Sequence, residues 1–283
     1  MKFVQRTMVC VLLISVWISN VWAEPGFVLM ASTIGPIDAG IVSVLEDAFE
    51  EESGIRVRHV GAGTGAALKI AEKGSSDLVM VHAKLLEEAF VANGFGTYRV
   101  PLMYNDFVIL GPASDPAAIK GFKSATKALQ QIAAKAVPFV SRGDKSGTHV
   151  AELELWKKAG LQPAGNWYKI YEKGSEGNAA TLKYTDQQQA YTVIDRATYL
   201  SLKQSIQLVI LTEGDEALLN RISLIPVSQK KFPKVNSEGT LAFIAWLTAV
   251  DKGQKLISEY GKEKYGSALF FPDSRQWHEK NKK

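Results

Sequence analysis

The chain has 283 residues, with 33 Lys plus Arg set against 29 Asp plus Glu and four histidines. A nucleic-acid binder would be expected to show a basic face or a much higher net charge, so composition gives no reason to invoke DNA, RNA or a membrane surface as partner. Cys10 is the single cysteine and lies in an N-terminal apolar run, so the remainder can form no disulfide, cysteine metal site or cysteine nucleophile.

Lys2 and Arg6 precede the apolar run Met8 to Trp17, and Val21-Trp22-Ala23 reads as a small-x-small cleavage site. This pattern predicts a signal peptide over 1–23 and a mature periplasmic chain beginning at Glu24. The run is shorter than the roughly 20 residues that span a bilayer. About 260 residues remain, enough for a large core in two lobes of ordinary domain size.

Beyond Glu24, short apolar runs alternate with longer amphipathic segments, the pattern of an α/β sheet covered by helices. Phe27 to Ala31 reads as a buried strand, and Ile41 to Glu52 as a helix with Gly54 as its stop. Ile55 to Val60 alternates like a strand, Leu68 to Glu72 reads as helix and Leu78 to Val81 as strand. Lys84 to Asn93 is a helix ended by Gly94. Phe107 to Leu110 is a strand, Thr126 to Lys135 a helix, Phe139 and Val140 a short strand, and His149 to Ala159 a helix. Gln187 to Tyr191 is expected to open a further helix. Leu208 to Leu211 is an isolated strand, and Gly239 to Thr248 and Lys252 to Tyr265 read as closing helices. The strands ending at Leu110 and Leu211 serve as candidate crossings, dividing the chain into 24–110 plus 212–283 and 111–211.

Four polar turns follow short strands. Ala31-Ser32-Thr33-Ile34-Gly35 presents Ser32 and Thr33 hydroxyls ahead of a helix, where free amides and the helix dipole favour an anion; an ordinary N-cap would look the same. Gly61-Ala62-Gly63-Thr64-Gly65-Ala66 lets backbone at Gly63 approach a ligand and adds the Thr64 hydroxyl. It has neither the Lys of a P-loop nor a dinucleotide fingerprint, which argues against nucleotides. The segment Ser141 to His149 concentrates the most chemistry. Arg142 offers a fork of donors to paired oxygens, and Ser146 and Thr148 add neutral ones. The same residues would equally make an Arg142–Asp144 surface pair with Ser146 as an N-cap. In the fourth turn, Tyr191 to Arg196, Asp195 and Arg196 could orient Arg142 or form a structural ion pair; Asp144, Tyr191 and Asp195 are supporting candidates.

Enzyme chemistry finds no constellation. His59, His82, His149 and His278 show no metal-ligand spacing with one another or with Cys10. Ser146 lacks a nucleophile elbow, and His149 beside it starts a helix. Glu50, Glu51 and Glu52 read as a solvated helix face. No catalytic residue, cofactor or resident metal is expected.

Ordered motifs then carry a family resemblance: Gly63-Thr64-Gly65, Val81-His82-Ala83, Met103 to Val108, Pro138 to Asp144 running into Ser146-Gly147-Thr148-His149, Ala190-Tyr191-Thr192, Asp195-Arg196, Thr198-Tyr199-Leu200, Glu213-Gly214-Asp215 and Leu218-Leu219-Asn220. From about Met30 to Pro272 the chain resembles the substrate-binding proteins of tungstate ABC transporters, in the type II periplasmic-binding-protein class. That resemblance implies a two-lobed α/β fold whose cleft closes on a dehydrated tetrahedral oxyanion, tungstate before molybdate. It points to Arg142 and Thr148 as ligands, completed by Ser32, Thr33 and Thr64. It further implies a monomer that meets an ABC permease at the membrane. One departure stands out: where the family has Thr and Ser, this chain has Ile34 and Gly35, losing two hydroxyls. Either Ile34 enters the site, or both residues face away and Gly35 backbone serves. A less polar cleft would suit the alternative role, a receptor for another anion or organic acid that feeds a membrane sensor.

Overall fold

Runs of β-branched and aliphatic residues bounded by turns become strands because they can be buried on both faces. The computed structural model describes residues 26–282; the expected signal peptide at 1–23 lies outside the described residues. Its strands are β1 Phe27–Thr33, β2 Arg56–Ala62, β3 Leu78–Val81, β4 Val100–Gly111, β5 Phe139–Ser141, β6 Tyr168–Ile170, β7 Thr192–Asp195, β8 Val209–Thr212, β9 Leu219–Pro226 and β10 Phe271–Pro272. The main sheet runs β10-β4-β9-β3-β1-β2, with β7 and β8 also pairing on β4. β1 is parallel to β2 and β3, whereas β9 lies antiparallel between β3 and β4. β5 and β6 form a separate parallel pair. The architecture is mixed α/β, as expected. Among the described residues no helix is long and apolar enough to cross a membrane.

β4 is the strand common to both halves. Its first part, Val100 to Asp106, pairs with β9, and its second part, Phe107 to Gly111, pairs with β7 and β8. The core follows that change of partner. Met30, Leu45, Phe49, Met103, Ile222 and Phe243 pack in one cluster, and Phe107, Ile109, Leu129, Trp156, Tyr191 and Leu218 in another. The changeover of strand partners and core clusters falls inside β4 and at the start of β9. A strand that exchanges neighbours halfway along its length has no break in composition to mark the point.

Several predicted elements shift. The helix expected to open at Gln187 instead ends there, spanning Asn178–Gln187, and Gln189 turns the chain with φ +46° into β7. The helix drawn from Lys252 to Tyr265 is two, Gly253–Glu259 and Lys262–Tyr265, divided at Gly261 in the left-handed region.

Beneath the Ser141–His149 segment lies a buried carboxylate. Glu152 is 2 % exposed and accepts hydrogen bonds from Ser141 Oγ (2.6 Å), Trp156 Nε1 (3.0 Å) and Tyr168 Oη (2.8 Å), tying β5 and β6 to the helix Gly147–Lys158. Burial pushes its carboxyl up from 4.5 to about 7, even though the three donors pull it down. Between those values the folded chain holds a proton that the unfolded chain has released, so stability falls as pH rises from 4.5 through about 7. Glu152→Gln is expected to flatten this slope, worth up to ~3 kcal/mol, in urea unfolding across that range. Parallel profiles for the two proteins would locate the titration elsewhere.

Candidate anion-binding cleft

Strand ends and helix starts alternate along this chain, and five helices begin on the wall of one cleft. Their first residues are Ile34, Thr64, Lys84, Gly147 and Asn178. The cleft has a volume of about 1580 Å³. Converging helix N-termini supply unpaired N–H groups and positive dipole ends, which favour negative charge. The contribution of the Ile34 helix is the weakest, because it spans five residues and Pro36 has no N–H to offer.

Among the described residues Arg142 is the one arginine on this wall, and its guanidinium is held on three sides. Nε donates to the Gly174 carbonyl (3.0 Å), Nη1 donates to Asn178 Oδ1, and Nη2 pairs with Asp144 Oδ2 (2.8 Å). A guanidinium carries five N–H donors, so two remain uncommitted among the described residues, one on each terminal nitrogen. Asn178 is fixed in turn by Asp195, whose Oδ2 accepts from Asn178 Nδ2 at 2.7 Å. Asp195 also caps the following helix through Thr198 N–H (2.8 Å). Burial alone would raise the Asp144 carboxyl; hydrogen bonds from Ser146 and the charge of Arg142 outweigh it and leave the group below the usual carboxylate range. The result is a pre-set fork rather than a mobile cation.

The Arg142–Asp144 pair forms, and Ser146 caps the Gly147 helix by accepting from His149 N–H at 3.4 Å, yet Arg142, Ser146 and Thr148 still line the cleft. His149 receives the Lys145 N–H on Nδ1 (2.9 Å), which staples the loop. Lys145 itself stands at φ +61°, a strained conformation for a residue with a Cβ.

The cleft brings together Thr33, Gly63, Thr64, Arg142, Ser146, Thr148 and Asp195. Thr64 stands out: its hydroxyl oxygen is buried and has no hydrogen-bond partner among the described residues, an arrangement that costs of order 1–3 kcal/mol unless something arrives to pair with it. Three predicted residues are off the lining: Asp144, which meets the site through its pair with Arg142, and two that lie apart. Ser32 is fully buried in β1 and donates to the Thr33 carbonyl (3.1 Å), off the cleft wall, because strand alternation turns successive side chains to opposite faces. Tyr191 is fully buried among the Trp156 cluster, and its hydroxyl receives the Ala117 N–H (2.8 Å) and donates to Asp115 (2.9 Å). It supports the fold, not Arg142. Arg196 pairs with Asp106 (2.6 Å) and Glu213 (2.7 Å) and not with Asp195. Ile34 and Gly35 do not face away: both line the cleft, and Ile34 is 46 % exposed.

Sequence reading assigned no place in the site to Asn178, Asn105 or His82, all on the cleft wall. Gly177-Asn178 carried a usable signal, since Gly and Asn are both favoured at the N-cap of a helix. Among the described residues no group of three or more His, Cys, Asp or Glu is placed to hold a metal ion.

Comparison with known proteins agrees with this geometry. The model of the PBP superfamily domain matches residues 22–251, which defines the class. The tungstate-binding protein TupA of Peptoclostridium acidaminophilum is 42% identical over 251 residues, covering 88% of this chain and 86% of the relative. The solved tungstate-binding TupA of Desulfovibrio alaskensis G20 superposes with a TM-score of 0.81 at 39% identity, over 88% of this chain and 100% of that one. The solved tungstate ABC transporter protein of Geobacter sulfurreducens gives 0.70 at 43% identity, over 83% and 98%. The chain belongs to the PBP superfamily and, within it, to the TupA family.

Proposed function

We propose that this chain is an exported, non-catalytic binding protein that captures a tetrahedral oxyanion, tungstate ahead of molybdate, and delivers it to an ABC permease. In this reading 24–110 plus 212–283 and 111–211 form two lobes that close on the ion as a monomer, after removal of residues 1–23. The observation that carries it is the Arg142 fork, anchored by Gly174, Asn178 and Asp144, with two donors left to face a cleft of helix N-termini. Paired oxygens on a compact dianion match that fork. The names of the relatives, tungstate-binding TupA and tungstate ABC transporter, support the same ion.

Calorimetric titration with tungstate, molybdate, sulfate and phosphate tests the reading. Tungstate and molybdate should bind tightly and raise Tm, as any ligand selective for the folded state does. Sulfate and phosphate should bind far more weakly. No heat and no Tm shift with all four would end the proposal. Thr64→Val supplies a second arm: loss of the waiting hydroxyl should weaken tungstate about five- to tenfold while apo stability holds or rises, because an unpaired buried hydroxyl has been removed. Unchanged affinity would place Thr64 outside the shell.

Ile34 favours one refinement. Its exposed apolar side chain on the cleft wall leaves that position without a hydroxyl donor, which admits an anion bearing an apolar group as a competing ligand. Tighter binding of a small organic acid than of tungstate in the same titration would select the receptor role.

A further inference from the structure

The Arg142 fork and the Thr64 hydroxyl leave one cleft residue unexplained. His82 follows β3 and lines the same cavity. Its ring reaches across to the helix that carries Thr148: Cε1 lies 3.3 Å, and Nε2 3.6 Å, from the point a Cβ on Gly147 would occupy. A Cβ at this position would crowd the imidazole and shift it by a few tenths of an ångström, so glycine lets the ring rest closely on the helix N-terminus. Among the described residues, the ring's favourable polar interaction is with its own backbone. A ring nitrogen is therefore free to serve a ligand.

In the empty cleft this ring is a poor place for a positive charge. Burial holds the imidazole below the ordinary histidine range, and the N-terminus of the Gly147 helix opposes a cation. The charged groups around it are largely matched. On the loop before that helix Arg142 pairs with Asp144, and Lys145 is exposed. His149, on the helix, accepts the Lys145 N–H. On the element after His82, Lys84 pairs with Glu88, and Glu87 pairs with Arg99. Asp195, across the cleft, is occupied by Asn178 and Thr198. A dianion entering here meets one partly neutralised guanidinium in the wall and two solvent-exposed lysines, Lys84 and Lys145, whose charge water screens, so negative charge beside the ring is left over.

We propose that His82 is a further ligand-binding residue of the anion site and takes up a proton as the anion enters, so that capture is proton-linked. The inference rests on the oxyanion reading above. The balance is simple: free protein, anion and one proton from the buffer give the complex, with a new N–H bond on the ring and no group released. An adjacent dianion favours the charged imidazole. Protons bound are then more numerous in the complex than in the free protein, so affinity rises as pH falls, by at most about tenfold per pH unit for a single proton.

The test is titration calorimetry with tungstate between about pH 6 and pH 8, in buffers of different ionisation heat. Wild-type protein should take up as much as one proton per anion. His82→Asn should bind several-fold more weakly and show no uptake, while His59→Gln, whose ring pairs with Glu46 outside the cleft, should retain it. Equal uptake in His82→Asn, or none in the wild type, overturns the proposal. If His82→Asn does not fold, the wild-type ring is followed by NMR: its titration midpoint should rise when tungstate is added, and an unmoved midpoint overturns the proposal. No tungstate binding at all sinks this inference and the function proposal together, whereas binding without uptake sinks this one alone.

Discussion

Arg142→Ala should weaken oxyanion binding about a hundredfold, the largest effect of any cleft side chain. Two charge-assisted donors are lost, each worth about 1.5–3 kcal/mol to a charged acceptor, and the losses overlap because both come from one group. The damage extends past the missing donors. Asp144, held beside the cleft wall by Arg142, would lose its partner, and Asn178 Oδ1 would lose its donor, so an unpaired carboxylate is left behind the site where a cation stood. Arg142→Lys separates charge from geometry. An ammonium keeps the positive charge but cannot reach Gly174, Asn178 and Asp144 at once while still offering two parallel N–H groups. It should therefore recover less than about half of the lost free energy. Titration with tungstate measures both variants, and an Arg142→Ala affinity within about threefold of wild type would put the anion elsewhere.

How much of this was readable beforehand depends on where each piece of information is stored. The Ser141–His149 segment was legible because its guanidinium, hydroxyls and glycines sit in nine consecutive positions, and the local turn alone brings them together. Strand β3 was legible for a similar reason: Leu-Val-Met-Val is fully buried between turns, so its apolar run has no competing pattern. Asn178 was not. It lies 36 residues from Arg142, and its helix buries Thr181 and Thr185, whose hydroxyls bond the carbonyls four residues back. A helix with a polar buried face leaves little apolar periodicity to detect. β9 escaped notice for a related reason, since Ser223 interrupts its buried run and is satisfied by Arg99 from far along the chain. Ser32 lies off the cleft wall because a motif names both neighbours while strand alternation turns only Thr33 toward the cleft. In each case the missing information was tertiary.

Gly174 stores such information in the absence of a side chain. A Cβ there would sit 1.8 Å from the Arg142 carbonyl oxygen, 2.8 Å from its carbonyl carbon and 3.3 Å from Cγ. The nearest obstacles are backbone, so no rotamer change relieves them, and the chain on one side or the other must move. Movement at Gly174 breaks the Nε bond to its carbonyl, and movement at Arg142 pulls the fork off Asn178 and Asp144. Gly174→Ala should therefore cost ~2–4 kcal/mol of stability and at least tenfold in tungstate affinity, although position 174 offers the ion no side chain. Gly35→Ala is the contrast: its Cβ would meet nothing within 4 Å, and removing backbone freedom from a helical position should leave stability unchanged or slightly raised. Denaturant unfolding of both variants, with titration of whatever remains folded, distinguishes a general glycine effect from this contact. If Gly174→Ala proved as stable and as tight-binding as Gly35→Ala, the close packing of Gly174 on Arg142 would not be what aims the guanidinium.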